Sequence, residues 1–323
     1  MNKISKQLKN PDFMHRYASV LFAGVFLLAF NIVAAMLNPS FLSTRNFNRL
    51  IESAFPLMMV AFGQTICLLT AGIDISLGSI VSLTNVVCIQ LIRPDAPGGW
   101  VLGVLVAMAV GFGCGALNGF LTYQFKLPAL IVTISMQIVY AGLALFVMPI
   151  PTGQMHMGFY KFIKYKFGGV IPNGFVIILI VLIMVRTLMK DTPFGRKVRA
   201  MGGNEASAFS TGINVKKTGI LAFGLSGFLC SLGGIYMAVY INSGDPTIGT
   251  GMQMNAISAS VIGGVSMMGA NGDFIGTMFG VFIFTLISNL LNLNGVSTNY
   301  QFLIKGIVLI VALAISSMKN KDE

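Results

Sequence analysis

Residues 51–93 read IESAFPLMMVAFGQTICLLTAGIDISLGSIVSLTNVVCIQLIR. Two apolar runs, 51–71 and 75–93, are separated by the short stretch Gly72-Ile73-Asp74-Ile75-Ser76. The hydrocarbon core of a bilayer is about 30 Å thick and needs about 20 apolar residues per helical crossing. Each run has that length. The stretch therefore predicts two membrane spans with a polar break between them.

The rest of the chain has the same character. Of 323 residues, 55% are hydrophobic and only 10% are charged, against about 25% charged in a soluble domain. The 37 glycines predict closely packed helices, because small residues let helix backbones approach each other in lipid. We predict an all-α polytopic membrane protein of about ten transmembrane helices. The predicted spans are 17–37, 51–71, 75–93, 100–123, 128–149, 171–189, 217–241, 254–270, 273–293 and 300–317.

The formal charge of +11 raises the question of nucleic acid binding, but the basic residues cluster between the apolar runs, so we expect no nucleic acid partner. Cytoplasmic segments of membrane proteins are enriched in Lys and Arg. With both termini in the cytoplasm, 14 bases are cytoplasmic, 6 are external and Lys305 lies in the last span. This predicts a cytoplasmic N-terminus at 1–16 that leads into an uncleaved first helix, an external segment at 150–170 and a cytoplasmic loop at 190–216.

A weak internal repeat is also visible. A Gly-x-x-x-Gly pair at 99–103 recurs at 272–276, and Leu-Ile at 130–131 recurs at 303–304, all with an offset of 173 residues. The related segments lie five predicted spans apart, an odd number, so the halves would have opposite orientations in the membrane. We predict an inverted repeat of spans 2–5 and 7–10, a feature typical of transporters. Chance similarity between Gly-rich helices is the alternative.

The motifs of catalysis and cofactor binding are missing. The sequence has no phosphate-binding loop and no H-E-x-x-H or G-x-S-x-G motif, and its two histidines, His15 and His156, are far apart. The four cysteines lie in apolar surroundings and are interpreted as small buried hydrophobic residues. We therefore assign no catalytic, cofactor or metal-binding residue. The remaining alternatives are transport powered by a partner, a stand-alone secondary transporter or channel, and an intramembrane enzyme, which the missing motifs disfavour.

Some polar side chains lie within the predicted spans. Asp74 is the main buried charge, and a carboxylate within a membrane must be paired or hydrated. It either stabilises the break in the backbone or lines a hydrated pathway. The candidate pathway residues are Asp74, Ser76, Gln64, Asn118 and Asn289. Neutral amides suit an uncharged polyhydroxy solute, whereas hydrogen bonding between helices is the structural alternative.

The segment 191–215 reads DTPFGRKVRAMGGNEASAFSTGINV. A basic stretch is followed by a predicted break at Gly202-Gly203 and then by a short helix. Asn204 is a favourable N-cap, Glu205 suits the positive N-terminus of that helix, and Gly212 can end it. A short capped helix that projects from a membrane domain is a rigid contact for a soluble partner. The alternative is an ordinary solvated loop.

This segment resembles the coupling segment of permease subunits of bacterial ATP-binding-cassette importers of the ribose, galactose and xylose type. The family pattern G-R-x-[ILV]-x-A-x-G-G-N-E-x-A-A-x-x-x-G-I corresponds to residues 195–213, with Ser207 as a departure. Further stretches resemble other motifs of this family. They are TAGIDISLGS at 70–79, GALNG at 115–119, LPALIVT at 127–133 and ASVIGGVS at 259–266.

The resemblance implies a single transmembrane permease domain over 1–323 in the inner membrane of a bacterial cell. It implies contact with the ATPase through Gly202, Gly203, Asn204, Glu205, Ala206 and Gly212. It also implies a second, identical permease subunit, two cytoplasmic ATP-binding subunits, and an external solute-binding protein that delivers a monosaccharide to the face formed by 150–170 and 242–252. ATP would be bound by the partners, and no cofactor by this chain. Nucleoside and branched-chain amino acid permeases share the fold, so these cargoes remain alternatives.

Overall fold

The structure is a computed structural model that describes residues 24–310, except residues 26, 33, 37, 298, 299, 302, 305, 308 and 309. The predicted cytoplasmic N-terminus at 1–16, the start of the first predicted span at 17–23, Lys305, and the end of the last predicted span at 311–317 lie outside the described residues. The described residues form the bundle between these ends.

Eleven helices follow one another between residues 44 and 293. They are α1 (Thr44–Leu69), α2 (Leu77–Gln90), α3 (Val101–Phe125), α4 (Ala129–Val147), α5 (Met157–Ile163), α6 (Asn173–Asp191), α7 (Pro193–Gly203), α8 (Glu205–Ser210), α9 (Val215–Ile241), α10 (Met252–Ile262) and α11 (Phe274–Leu293). A short 3₁₀ helix, Pro39–Leu42, precedes α1, and further helical residues lie within 24–36 and 300–307. Two-residue strands, β1 (Lys166–Phe167) and β2 (Ile171–Pro172), pair antiparallel. The predicted all-α class is confirmed.

Six of these helices are long and apolar enough to cross a membrane: α1, α3, α4, α6, α9 and α11. Two predicted spans are shorter than expected, because 75–93 contains the 14-residue α2 and 254–270 overlaps the 11-residue α10, which begins at Met252. A full crossing needs about 20 residues. The polar break around Asp74 precedes α2. Gly263 and Gly264 follow α10, and Gly264 has a left-handed φ of 87°, which ends the helix.

The order long, short, long occurs twice along the chain. Helices α9, α10 and α11 begin 171, 175 and 173 residues after α1, α2 and α3. The packing is matched as well, since α9 packs on α2 and α3 while α1 packs on α10 and α11. Gly63 of α1 lies against Ser226 of α9, and Pro56, which comes earlier in α1, lies against Gly233, which comes later in α9. These two helices therefore run in opposite directions. This is the arrangement that the predicted inverted repeat requires.

The segments 150–170 and 190–216 lie at opposite ends of the bundle. At one end, Lys164 forms a 3.1 Å ion pair with Glu52 near the start of α1, and Thr152 pairs with Gly244 after α9. At the other end, α7 and α8 pack with the last turn of α1 and the first turn of α9. We call the end that contains α7 and α8 the α8 end. The topology predicted from the sequence places the α8 end in the cytoplasm.

The contact between α3 and α9 is the most extensive in the bundle. Gly111, Gly115 and Gly119 of α3 lie directly against the backbone or β-carbons of α9, as their four-residue spacing predicts. A side chain at Gly115 would meet the carbonyl oxygen of Phe223. Such close approach maximises van der Waals contact where lipid offers no hydrophobic driving force. The close helix packing that the glycines of this chain predict is present at this contact.

Candidate functional site

A cleft of about 450 Å³ opens between α1, α9, α10 and α11, towards the end of the bundle that lies opposite α8. Its polar lining residues are Asn46, Arg49, Ser53, Tyr240, Asn255, Thr285, Ser288, Asn289 and Asn292. Its apolar lining residues are Pro56, Leu57, Met252, Phe284 and Leu293. Among the described residues that line the cleft, Arg49 alone is charged. The cleft therefore offers amide and hydroxyl groups beside apolar and aromatic surface.

A reciprocal amide pair joins two walls of the cleft. Asn46 Nδ2 donates to Asn289 Oδ1 at 3.1 Å, and Asn289 Nδ2 donates to Asn46 Oδ1 at 2.9 Å. Ser43 caps α1 by accepting from the backbone N–H of Asn46 at 3.2 Å, and Asn46 Nδ2 also donates to Phe41 O at 2.9 Å. The start of α1 and the last third of α11 are thereby held together. Opening the cleft between these helices would require this pair to separate.

The predicted residues around Asp74 form a separate buried cluster. Asp74 Oδ1 accepts from the backbone N–H and the hydroxyl of Ser76, at 2.8 and 2.7 Å, and Asp74 Oδ2 accepts from Asn118 Nδ2 at 3.2 Å. Asn118 Nδ2 also donates to Ser76 Oγ at 2.8 Å, and Tyr140 donates to Asn118 Oδ1 at 3.0 Å. The three predicted residues are fully buried.

This cluster fixes the break between α1 and α2 against α3 and α4. Each carboxylate oxygen of Asp74 has a donor, which a buried charge needs. The N-terminus of α2, with its partial positive charge, begins three residues after Asp74. None of Asp74, Ser76 and Asn118 lines the cleft. The geometry supports the structural alternative for these three residues, while their place in the pathway stays a prediction.

The two other predicted pathway residues lie apart. Asn289 lines the cleft, as described above. Gln64 is fully buried in the middle of α1, and neither polar atom of its amide has a hydrogen-bond partner within the part of the chain that the structure describes. It does not line the cleft. The structure therefore distributes the predicted set over three places and brings only Asp74, Ser76 and Asn118 together.

The predicted ATPase-coupling residues lie at the α8 end. The predicted break at Gly202-Gly203 is wrong, because both glycines belong to the last turn of α7 and the chain turns at Asn204. Gly202 remains helical and close-packed, since a side chain there would meet Leu69 O and Ala270 N. Asn204 caps α8 by accepting from the backbone N–H of Ser207 at 2.8 Å.

The rest of this segment follows the capping expected from the sequence. Helix α8 spans six residues and begins at Glu205, and Gly212 follows it with a left-handed φ of 83°. Glu205 and Ala206 are exposed, whereas Ala208 is buried. Phe209, on the same helix, is 71% exposed. Helix α8 therefore presents an aromatic side chain outward at the end of the bundle where Lys216 and Lys217 begin α9.

The family model described as branched-chain amino acid transport system / permease component matches residues 46–313, which contain both the cleft and α8. The chain belongs to this family of permease components. The permease is 34% identical over 302 residues to the ribose import permease protein of Bacillus subtilis (strain 168). The matched region covers 93% of this chain and 92% of the relative.

Other relatives have similar names. The ribose import permease protein of Escherichia coli (strain K12) is 32% identical over 303 residues, covering 92% of the permease and 93% of the relative. The fructose import permease protein of Rhizobium meliloti is 30% identical over 322 residues, covering 97% of the permease and 89% of the relative. No solved structure matches the permease. The relatives span nearly the whole chain.

Sequence reasoning missed most of the residues that line the cleft of the permease. A usable pattern was present in α11, where Thr285, Ser288, Asn289 and Asn292 follow at intervals of three or four residues and share one face of the helix. The same spacing is present in α1, where Asn46, Arg49 and Ser53 follow at intervals of three and four residues and also line the cleft. Asn255 reaches the cleft because α10 packs against α11.

Proposed function

We propose that this chain is the membrane-spanning permease subunit of a bacterial ATP-binding-cassette importer and that its cleft is part of the translocation pathway of a monosaccharide. It lies in the cytoplasmic membrane with both termini in the cytoplasm. The observation that carries the proposal is the lining of the cleft, where the described residues include seven Asn, Ser and Thr side chains and a single charged one. Import of ribose and of fructose by named relatives supports it.

The chemistry of the lining suits a sugar. Asn side chains both donate and accept hydrogen bonds, as sugar hydroxyl groups do. Tyr240 and Phe284 offer flat apolar surface for the C–H faces of a pyranose or furanose ring. Small-molecule sites combine placed polar groups with apolar surface, and the lining of this cleft contains both. A solute with these contacts can bind briefly and pass on.

A branched-chain amino acid, which the family description names, is less well matched. Such a zwitterion carries an ammonium and a carboxylate, and each would need a charged or strongly dipolar partner inside the cleft. Arg49 can serve the carboxylate, but the lining residues that the structure describes include no acidic side chain for the ammonium. A nucleoside, which is also uncharged, differs from a monosaccharide mainly in size. Competition between the two in an uptake assay distinguishes them.

The proposal includes partners. The chain itself carries no catalytic step and binds no cofactor, so energy comes from two cytoplasmic ATP-binding subunits that contact α8 through exposed Phe209, Glu205 and Ala206. A second copy of the permease completes the membrane part. An external solute-binding protein delivers the sugar at the end opposite α8, near 150–170 and 242–252.

A substitution in the cleft tests the pathway. Ser288→Leu fills part of the cleft and removes a hydroxyl, and we expect it to lower sugar uptake by about tenfold, since losing a polar contact and blocking space each cost about 1–3 kcal/mol. The measurement is initial uptake of labelled ribose by cells or proteoliposomes that contain equal amounts of permease.

Ser135→Leu is the matched control. Ser135 lies exposed on α4 and donates to Ile131 O at 3.1 Å, as Ser288 donates to Phe284 O at 3.0 Å, so both substitutions remove the same local hydrogen bond. We expect the control to transport within about twofold of the parent. Equal uptake by Ser288→Leu and the parent would show that the cleft is not on the pathway.

A further inference from the structure

Arg199 of α7 makes a bidentate contact with the loop that joins α10 to α11. Its Nη1 donates to Ala270 O at 3.0 Å and its Nη2 donates to Gly272 O at 3.1 Å. Its Nε lies 3.4 Å from Met189 O, near the end of α6. The planar guanidinium group carries its donors in a fixed geometry, so a contact with several carbonyl oxygens fixes their relative positions.

The loop that Arg199 holds, residues 263–273, is attached on other sides as well. Ala270 N–H donates to Leu69 O at the end of α1 at 3.2 Å. Asp273 accepts from Arg186 of α6 at 3.1 and 3.3 Å and also caps α11 by accepting from the backbone N–H of Ile275 at 3.0 Å. The loop therefore moves together with the starting turn of α11.

The same loop lies between the two helices that supply much of the cleft. Helix α10, which ends at Ile262, contributes Met252 and Asn255, and α11, which begins at Phe274, contributes Ser288, Asn289 and Asn292. On the other side, α7 is separated from α8 by Asn204 alone. A continuous set of contacts thus leads from α8 through α7 and Arg199 to the loop and then to the walls of the cleft.

The helices at the α8 end are packed too closely to move independently. Gly202 of α7 lies against Leu69 O and Ala270 N, and Gly269, with a left-handed φ of 93°, lies against Gly202 O. Backbone against backbone leaves no flexible side chain to absorb a displacement. A shift of α7 therefore displaces the loop at 263–273 as well, provided that Arg199 holds α7 and the loop in their relative positions.

We propose that Arg199 is a positioning residue for transport, which transmits a displacement of α8 to α10 and α11 and so couples ATP hydrolysis to the opening of the cleft. This rests on the proposed function, because it requires an ATPase that acts on α8. Arg199 contacts neither the solute nor ATP in this account. Its contribution is to the ratio of sugar transported to ATP hydrolysed.

The test compares Arg199→Gln and Arg199→Lys with Lys197→Gln in proteoliposomes that contain the permease, the ATPase and the binding protein. Lys197 is an exposed basic residue on the same helix at a variable position of the family pattern, and it serves as the matched control because its substitution also removes one positive charge. Labelled ribose uptake and phosphate release are measured in the same preparation, together with the thermal midpoint of the complex.

We expect Arg199→Gln to retain binding-protein-stimulated hydrolysis within about twofold and to lower the sugar transported per ATP by about fivefold or more. Arg199→Lys keeps the charge but not the planar set of donors, so its ratio should be intermediate, and it remains informative if Arg199→Gln does not fold. Lys197→Gln should match the parent.

Two results would overturn the inference while leaving the proposed function intact. One is an unchanged ratio in both Arg199 variants. The other is a parallel fall of uptake, hydrolysis and thermal midpoint, which would make Arg199 a structural residue only. If the parent complex transports no sugar when ATP is supplied, the proposed function fails, and the role of Arg199 fails with it.

Discussion

Replacing Gly115 with valine is expected to lower the amount of folded protein in the membrane by about tenfold or more, because substitutions that force backbone apart in a packed core are among the most destabilising. A side chain at this position of α3 would meet Phe223 O and Gly227 N of α9. These are backbone atoms, which a change of rotamer cannot move. Membrane abundance and the thermal midpoint in detergent are the measurements.

Gly113→Val is the control for this prediction. Gly113 lies two residues away on the same helix and is exposed. Apart from the nearby backbone of its own helix and its two chain neighbours, no atom of the described residues lies within 4 Å of the place a β-carbon would occupy. Both substitutions put the same β-branched residue into the same helix, so intrinsic helix propensity is matched. We expect Gly113→Val to accumulate within about twofold of the parent. Similar abundance of the two variants would mean that α3 and α9 do not approach as closely as the structure shows.

Replacing Ala208 with proline is expected to abolish association with the ATPase while leaving membrane insertion and assembly of the permease intact. Ala208 N–H donates to Asn204 O at 3.0 Å, the first hydrogen bond of α8. Proline removes this donor and its ring clashes with the carbonyl four residues earlier, at a cost of about 3 kcal/mol or more. Helix α8 has only six residues and cannot tolerate that loss.

The measurements are membrane abundance, co-purified ATPase and binding-protein-stimulated ATP hydrolysis. Glu205→Pro is the comparison for the position of the proline, because Glu205 is the first residue of α8, where the backbone N–H has no helical partner and proline fits. Asn204, which precedes it, already has the extended conformation that a following proline requires. If Ala208→Pro binds the ATPase and hydrolyses ATP like the parent, α8 is not the coupling element.

Local features of this chain could be read from the sequence because their causes lie within a few residues. The cap of α8 follows from Asn204 and Gly212, and the contact of α3 with α9 follows from glycines spaced by four. The membrane-spanning helices follow from apolar runs of sufficient length. The repeat was visible from two short matches, and its inverted direction followed from the number of spans between them.

Features that join distant parts of the chain were not predictable from one sequence. The pair of Asn46 and Asn289 spans 243 positions, and the contacts of Arg199 with the loop at 270–272 span more than 70. The helical state of Gly202 also depends on tertiary contacts, because packing against Leu69 O favours it over the break that two glycines predict alone. Helix α10, with 11 residues, is about half as long as a membrane span because it ends just before Gly263 and Gly264. The left-handed conformation of Gly264 depends on the fold and could not be predicted from the sequence.

The central claim is that this chain conducts a monosaccharide only as part of an ATP-driven complex. The most direct measurement is concentrative uptake of labelled ribose into proteoliposomes that contain the permease alone, or the permease with its ATPase and solute-binding protein. We expect no accumulation by the permease alone, with or without ion gradients, and accumulation by the complete complex that requires ATP. Accumulation against a gradient by the permease alone, or none by the complete complex with any monosaccharide, would contradict it.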